Sequence, residues 1–553
     1  MSKKKVLVMG EAHYLNSGFG TYTNELLTRL HNTNKYELVE LASYGNMKEA
    51  RKVPWLYIPN LPTDGNKAET DLYHSHATHQ FGAWRFDRVC LDIKPDIVLS
   101  YRDPWMDDWI ERSTLRPYFH WVWMPTVDSA PQRPEWINNF ASCDAVLTYS
   151  EFGGQVLKEQ GKETINWIGC ASPGIDPNIY KPIPKAPHRE SMGIDPDCFI
   201  VGTVMRNQKR KLFFELMKAF RLFLDEAPSE IANKTYLYLH TSYPEKVGWD
   251  LAHGIIENQL GNKVLMTYIC KSCKHFFPHL FQDAIIKCQR CHQQSAVCPT
   301  VGLGLTIEDL AKIYNLFDIY AQYAICEGFG MPQIEASACG IPVAATDYSA
   351  MHDVVGFTKG YPIPVRIFFK EMETNAERAY PDNEEFAKIL IRFFSQTPIE
   401  RFHEAVNVRQ ATLERYDWNK SIKVWEKYID SYKPKNLQGK WDSPPRMINI
   451  PTSIPPNLSH RAFIHWIFTH VSVESHKLYA EESMSMHRDL IYGATTRTGQ
   501  MEPTNQNKIF EEYRNRAHQH NSIEELRTGL QSLAPSSFLI NAYQRHQRLF
   551  KLT

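Results

Sequence analysis

No apolar run in this chain approaches the roughly 20 residues that a helix needs to cross a bilayer. The sequence therefore carries no expectation of a transmembrane segment. Its first residues are positive, but the apolar stretch Val6-Leu7-Val8-Met9 is too short for a secretory signal, and no small-residue cleavage site follows. A first β-strand and a cytoplasmic location are expected instead. Net charge is lacking as well: 62 Lys and Arg balance 62 Asp and Glu. That excludes a polybasic protein whose whole surface grips nucleic acid. With 43% hydrophobic residues it also excludes a largely disordered chain. The 11 cysteines are odd in number and come without an export signal. A disulfide framework is not expected, whereas metal-bound or buried thiols in a reducing compartment are. Internal repeats and low-complexity tracts are absent.

What is present is the length for several domains, at about 100–200 residues each, and a strand–helix alternation. Lys5–Gly10, Asp96–Ser100, Phe119–Met124 and Asp144–Ser150 read as buried parallel strands, and Gly18-Phe19-Gly20 opens a helix with Tyr22, Leu26, Leu27 and Leu30 on one face. A second unit of the same kind starts near Cys198. It has strands at Phe199–Val204, Tyr236–His240, Ile319–Tyr323 and Ile341–Ala345, helices at Ile307–Phe317 and Met331–Cys339, and a last helix at Trp418–Tyr428. Two doubly wound parallel sheets are expected, with ligands at the carboxyl ends of the strands. The expected divisions are a first domain over 1–182, a second over 183–432 with an insertion at 268–300, a proline-rich linker over 433–457 and a helical extension over 458–553. The residues after 432 hold an excess of about five positive charges and eight histidines.

The densest motif runs from Cys326 to Val343: Cys-Glu-Gly-Phe-Gly-Met-Pro-Gln-Ile-Glu-Ala-Ser-Ala-Cys-Gly-Ile-Pro-Val. It reads as strand, glycine turn and helix, with Pro332 in the first turn, where its missing N–H costs nothing. The free N–H groups and dipole of that helix start suit a phosphate, and Gly328 and Gly330 allow close approach. Glu327 and Glu335, eight apart, are placed to hold hydroxyls on either side of a diphosphate. Arg206 and Lys211 follow the strand at Phe199–Val204, with Lys209 and Arg210 able to share or replace their role. Such a run of cations suits a negatively charged ligand, Arg as a fork and Lys as a point charge.

This Glu-x7-Glu stretch, with its Gly-Phe-Gly-Met-Pro turn, resembles the signature of family 4 glycosyltransferases. Val201–Lys211, Pro173–Pro182 and Gly18-Phe19-Gly20 resemble further elements of that family in the right order. The resemblance covers about residues 4–432 without the insertion. It implies a GT-B fold: two Rossmann-like domains facing across a cleft. It implies an enzyme, a retaining hexosyl- or pentosyltransferase that moves a sugar from a nucleotide diphosphate sugar to an acceptor hydroxyl. Within it Glu335 would bind ribose and Glu327 the donor sugar. Arg206, Lys211 and the N–H groups near Gly330 and Met331 would bind diphosphate, and Gly18 and Gly20 would approach it from the other domain. Pro173–Pro182 would be the hinge. No catalytic metal and no protein nucleophile are implied. One departure stands out: where many members carry a histidine after the strand at Phe119–Met124, this chain has Asp128 as the polar residue best placed to contact sugar or acceptor.

Several weaker signals have plainer readings. Ser150 reads as a helix cap. His74, His76 and His79 read as surface or packing residues. Asp195-Pro196-Asp197 has the form of a metal-binding Asp-x-Asp but sits in a turn, and is read as a false positive.

The insertion holds Cys270-x2-Cys273 and Cys288-x2-Cys291, the spacing of a four-thiolate structural zinc site, with Cys298 as a spare thiol. It is read as a zinc ribbon without an evident hydrophobic core of its own. The acceptor stays open between a glycan, lipid or protein and, as an alternative, DNA bearing a hydroxylated base. The mildly basic ribbon, the aromatic residues His275, Phe276 and Phe277, and the basic tail motivate DNA. A third reading is a non-catalytic sugar- or nucleic-acid-binding scaffold.

Overall fold

The computed structural model describes residues 3–48, 53–113, 115–300 and 302–434. The linker and helical extension expected after 432 therefore lie, from residue 435 on, outside the described residues.

The first half builds a parallel sheet of seven strands: β1 (Lys4–Glu11), β2 (Tyr36–Ser43), β3 (Leu56–Pro59), β4 (Ile97–Ser100), β5 (His120–Trp123), β6 (Ala145–Thr148) and β7 (Trp167–Cys170). Their order is β3-β2-β1-β4-β5-β6-β7. Strands such as Ile97–Ser100 and Ala145–Thr148 are buried on both faces, which is why they read as continuous apolar runs rather than alternating ones.

The second half contributes β8 (Phe199–Val204), β9 (Thr235–His240), β10 (Val264–Cys270), β11 (Phe276–Leu280), β12 (Ile286–Lys287), β13 (Gln294–Val297), β14 (Ile319–Gln322), β15 (Val343–Thr346) and β16 (Tyr361–Ile363). The path is β12-β13-β10-β9-β8-β14-β15-β16, with β11 beside β10. From β10 to β16 the pairing is parallel, whereas β11 and β13 run antiparallel to β10. The insertion is thus no separate module. Its first strand, β10, is a strand of the main sheet, and its buried residues Tyr268, Phe277, Ile286 and Ala296 join the same core as Leu237 and Phe220. That is how so short a ribbon does without a core of its own.

Strand order reverses between β1 and β4 in the first sheet and between β8 and β14 in the second. A crevice opens at such a reversal, outside the carboxyl ends of the strands. The segments after β1 and β14 are the Gly18 loop and the Cys326–Gly330 turn.

The chain crosses between the halves twice, and the crossings touch. The Ile175 N–H donates to the Tyr416 carbonyl at 3.0 Å, and a β-carbon on Gly174 would lie 2.2 Å from the Trp418 nitrogen. The helix Trp418–Ser431, capped by Asp417, then packs on the first half rather than the second. Trp425 Nε1 donates to Tyr22 Oη at 2.8 Å, and Tyr36 Oη donates to Asp430 at 2.6 Å. Its buried face, Trp418, Ile422, Trp425 and Ile429, has the spacing of one helical side.

The sequence reading named no strand at β2, β3, β7 or β16, which extend the two sheets, and it missed one further element altogether. It is an antiparallel hairpin, β17 (Val365–Lys370) and β18 (Glu377–Pro381), outside both sheets.

Candidate functional site

The segment Tyr323–Ile325 is clamped between two neighbours. On one side the Leu212 N–H donates to the Tyr323 carbonyl at 3.1 Å, and the Ile325 N–H to the Arg210 carbonyl at 3.0 Å. On the other, Ala379 of β18 donates to the Ile325 carbonyl at 3.0 Å. This small backbone lattice sets the basic residues 210 and 211 beside the strand end that carries Glu327.

Glu327 is 5% exposed. Its Oε1 is in contact with Lys211 Nζ and accepts from Gln322 Nε2 at 2.6 Å, while its Oε2 accepts from Arg210 Nη1 at 2.9 Å. The Glu327 N–H donates to Ser349 Oγ at 2.9 Å. Burial pushes the Lys211 ammonium down, Arg210 adds to that, and Cys326 opposes both. Two cations and an amide around one buried carboxylate fix its orientation and leave Arg210, the more exposed cation, at the mouth.

The turn then needs its glycines. Gly330 has φ +86°, the left-handed region that a side chain disfavours, and begins the helix Met331–Ala338. Gly328 meets Thr126 of the first half: a β-carbon on it would stand 2.3 Å from Thr126 Cγ2. Gly18 lies across from this helix start, and a β-carbon there would be 3.8 Å from Met331 Sδ. The Gly18 helix is capped by Ser17, whose Oγ accepts from Gly20 N at 3.0 Å. Two helix N-termini, one from each half, therefore converge, which suits an anion between them. Glu335 sits one helical turn deeper and is buried. Tyr314 Oη donates to its Oε2 at 2.6 Å. Burial pushes the Glu335 carboxyl up, and hydrogen bonds from Tyr314 and Tyr180 hold it back.

The structure brings Gly18, Lys211, Glu327, Gly328, Gly330, Met331 and Glu335 together. It separates Arg206 from Lys211. Arg206 is half-exposed and reaches Glu245 at 3.4 Å, whereas Arg210, which the sequence offered as able to share or replace its role, lies beside Glu327 with Lys211. Asp128 is at the same junction, but paired: its Oδ1 accepts from Arg378 Nη1 at 3.0 Å and from Ser129 Oγ at 2.8 Å, and its Oδ2 from Cys326 Sγ at 3.2 Å. Ser150 caps the next helix through Gly153 N at 3.1 Å. Asp195 accepts from Asp197 N in a local turn at 2.9 Å. His74 and His76 are exposed and His79 is half-buried.

Sequence reasoning missed three residues here. Gln322 ends β14 and reaches Glu327. Arg378 comes from the hairpin, where nothing local marks it. Asp103 follows β4, and burial pushes its carboxyl up against a hydrogen bond to Thr126, with Asp128 and Arg210 within electrostatic reach. A carboxylate three residues past the carboxyl end of a parallel strand was the available signal for Asp103.

The four ribbon sulfurs lie within 4.8 Å of one another, Cys270 to Cys291 at 3.5 Å and Cys273 to Cys288 at 3.7 Å. A tetrahedral zinc with about 2.3 Å bonds needs sulfurs about 3.8 Å apart, so the donor set fits that ion. Hydrogen bonds from Ser295 Oγ and the Cys273 N–H hold the Cys270 thiol down to about 5, favouring the ligating thiolate. Cys298 stands outside the cluster, and burial pushes its thiol up to about 11.

Residues 300–371 match the family model described as glycosyl transferases group 1. Two curated relatives are D-inositol 3-phosphate glycosyltransferases, from Stackebrandtia nassauensis at 23% identity over 205 residues and from Rhodococcus jostii at 24% over 208 residues. Each match covers 37% of this chain, and it spans only 39% and 38% of those relatives. Among solved structures, sucrose-phosphate synthase from Thermosynechococcus elongatus superposes with a TM-score of 0.54 at 15% identity over 78% of this chain and 98% of that one. Anabaena Alr3699/HepE, solved with UDP and glucose, gives 0.54 at 14% identity over 78% and 100%. The chain has the GT-B fold, and over residues 300–371 it carries the glycosyl transferases group 1 segment.

Proposed function

We propose that this protein is a retaining glycosyltransferase that moves a sugar from a nucleotide diphosphate sugar to an acceptor hydroxyl of a glycan, lipid or protein. The observation that carries the reading is the Glu327 cluster: a buried carboxylate oriented by Lys211, Arg210 and Gln322 at the start of a helix, opposite a second helix start at Gly18. Glu327 presents acceptor lone pairs to donor-sugar hydroxyls. Arg210, Lys211 and the two helix N-termini stabilise charge on the departing diphosphate. Glu335, deeper along the helix, is the ribose ligand. The acceptor oxygen bonds to the anomeric carbon as the bond to the diphosphate breaks, and its proton passes to the leaving phosphate oxygen on the same face. The relatives' names support the donor side of this reading: one neighbour was solved with UDP and glucose, and two curated relatives are glycosyltransferases.

The reading keeps a hydroxylated glycan, lipid or protein ahead of DNA. Arg378, the cation beside Asp128, is already engaged by Asp128 and Glu371 and is not free to grip a phosphate backbone. The ribbon's Lys271, Lys274, Lys287 and Arg290 lose their weight as a DNA grip once a zinc tetrathiolate, which carries two negative charges, is counted with them. The ribbon zinc would be held by Cys270, Cys273, Cys288 and Cys291. When bound it supplies a closed structural cross-link rather than chemistry.

The test is nucleotide release from a panel of nucleotide sugars, with neutral glycosides, lipids and hydroxymethylated duplex DNA as acceptors, at low and high salt. Turnover raised by a neutral acceptor and abolished by Glu327→Ala is expected. Stimulation by DNA alone, lost at high salt, would move the acceptor to nucleic acid. No turnover of any donor would leave a binding scaffold.

A further inference from the structure

Arg378 joins the two walls of the crevice. It comes from β18, and it is 6% exposed although its hairpin stands outside both sheets. Nη1 donates to Asp128 Oδ1 at 3.0 Å and to Cys326 Sγ at 3.0 Å, and Nη2 donates to Glu371 Oε2 at 2.6 Å. Cys326 is the residue before Glu327, and its thiol donates to the other oxygen of Asp128 at 3.2 Å. One guanidinium thus holds the carboxylate of the first half against the strand end that presents the donor-side carboxylate of the second.

The backbone around it is arranged to the same end. Glu377 N donates to the Ala130 carbonyl at 2.9 Å, and Tyr348 Oη accepts from Ala130 N at 3.2 Å while donating to the Glu377 carbonyl at 2.8 Å. Both polar groups of Ala130, two residues beyond Asp128, are therefore satisfied by the opposite half. Ala379, next to Arg378, is bonded to Ile325 in the lattice that sets Arg210 and Lys211. A planar fork with several donors suits this junction, because one rigid group can bind two carboxylates and a sulfur at once. The halves also meet at the chain crossings near Ile175 and Tyr416 and where the Phe152 N–H donates to Asp353 Oδ2 at 2.8 Å, and Arg378 works from a separate element.

We propose that Arg378 is a positioning residue that latches the crevice closed, setting Asp128 of the acceptor wall in register with Glu327 of the donor wall. It acts through those two carboxylates and needs no contact with substrate. Its kinetic consequence rests on the transferase reading, but its effect on closure does not.

Two measurements on the full-length protein separate these. Fluorophores at Lys162 and Lys388, one on each half, report closure by energy transfer, with and without UDP. Arg378→Gln is expected to broaden the distribution toward longer distances, and Arg378→Lys to recover part of the closed population. A distribution unchanged in Arg378→Gln overturns the proposal, whether or not any donor turns over. Asp128→Asn approaches the same pair from the other side, and is expected to open the crevice similarly should Arg378→Gln fold poorly.

The second measurement is steady-state transfer. Arg378→Gln is expected to lower kcat at least thirtyfold with the Kd for UDP within twofold, and Arg378→Lys to regain at least threefold of that loss. The double variant Arg378→Gln/Asp128→Asn should be no worse than the poorer single variant. Losses that multiply, or a UDP affinity that falls in step with kcat, overturn the positioning role. Wild type that turns over no donor defeats the transferase reading alone and leaves the closure result standing.

Discussion

Gly328 of the donor turn and Thr126 of the opposite wall are in van der Waals contact across the crevice, with no room for a methyl group between them: a β-carbon at 328 would stand 2.3 Å from Thr126 Cγ2. Backbone strain is not the issue at this glycine, because its φ is not in the left-handed region, unlike that of Gly330. Gly328→Ala should therefore push the walls apart without unfolding either half. We expect transfer to drop at least tenfold, and a paired Thr126→Gly change to restore part of it. Thermal melting of the single variant within a few degrees of wild type would show that the loss is one of closure.

The cations near the diphosphate should rank by their place around Glu327 rather than by sequence spacing. Arg210 and Lys211 touch the carboxylate, whereas Arg206 is half-exposed and engaged with Glu245. Arg210→Ala and Lys211→Met are expected to lower kcat/KM by a hundredfold or more, about 3 kcal/mol at the transition state. Arg206→Ala should cost less than tenfold, chiefly in donor KM. Equal losses at 206 and 210 would show that Arg206 swings into the site when donor binds.

The fold was legible because buried parallel strands and glycine-opened helices write themselves in short-range pattern. Val6–Met9, Ile97–Leu99 and Met331–Ala338 all appear where periodicity and capping put them. Glu327, Glu335 and the turn between them were legible for the same reason, since one strand–turn–helix unit carries them all. Arg378 was not, because its meaning depends on Asp128, 250 residues away and in the other half. The choice between Arg206 and Arg210 was half legible. Both lie in one basic loop, but the backbone bond from Ile325 to Arg210 decides which of them faces the carboxylate. The packing of Trp418–Ser431 on the first half was hidden likewise, because an apolar helix face does not name the surface that covers it.

The ribbon gives a metal prediction with a readout apart from activity. Because β10 belongs both to the ribbon and to the main sheet, loss of the ion should destabilise the second half and not only a loop. Zinc analysis should find one ion per chain. A strong chelator or Cys273→Ser should lower the melting temperature by several degrees, and the effect should reach the loop after β9, where Tyr243 N donates to the Pro299 carbonyl at 3.2 Å. Cys298→Ser should leave metal content unchanged, because that thiol stands outside the cluster.

His240, the last residue of β9, gives a pH prediction. Burial pushes its imidazole down to about 4, and its Nδ1 is 2.8 Å from Thr267 Oγ1 on β10. A histidine free in the unfolded chain titrates near 6.5. Between those values the unfolded state binds more protons than the folded one, so stability rises with pH there. The contribution is complete above about pH 6.5 and is lost progressively as pH falls toward 4. Denaturant unfolding at pH 7.5 and at pH 5 should therefore differ by at most about 2 kcal/mol from this residue alone, and by less once solvent around a partly exposed ring is allowed for. His240→Gln, which keeps a hydrogen-bonding group for Thr267 but cannot titrate, should flatten that part of the pH profile while leaving the pH 7.5 value within about 1 kcal/mol of wild type. An unchanged slope would mean that the ring reaches water when protonated, and that the strand end at β9 opens without disturbing the sheet.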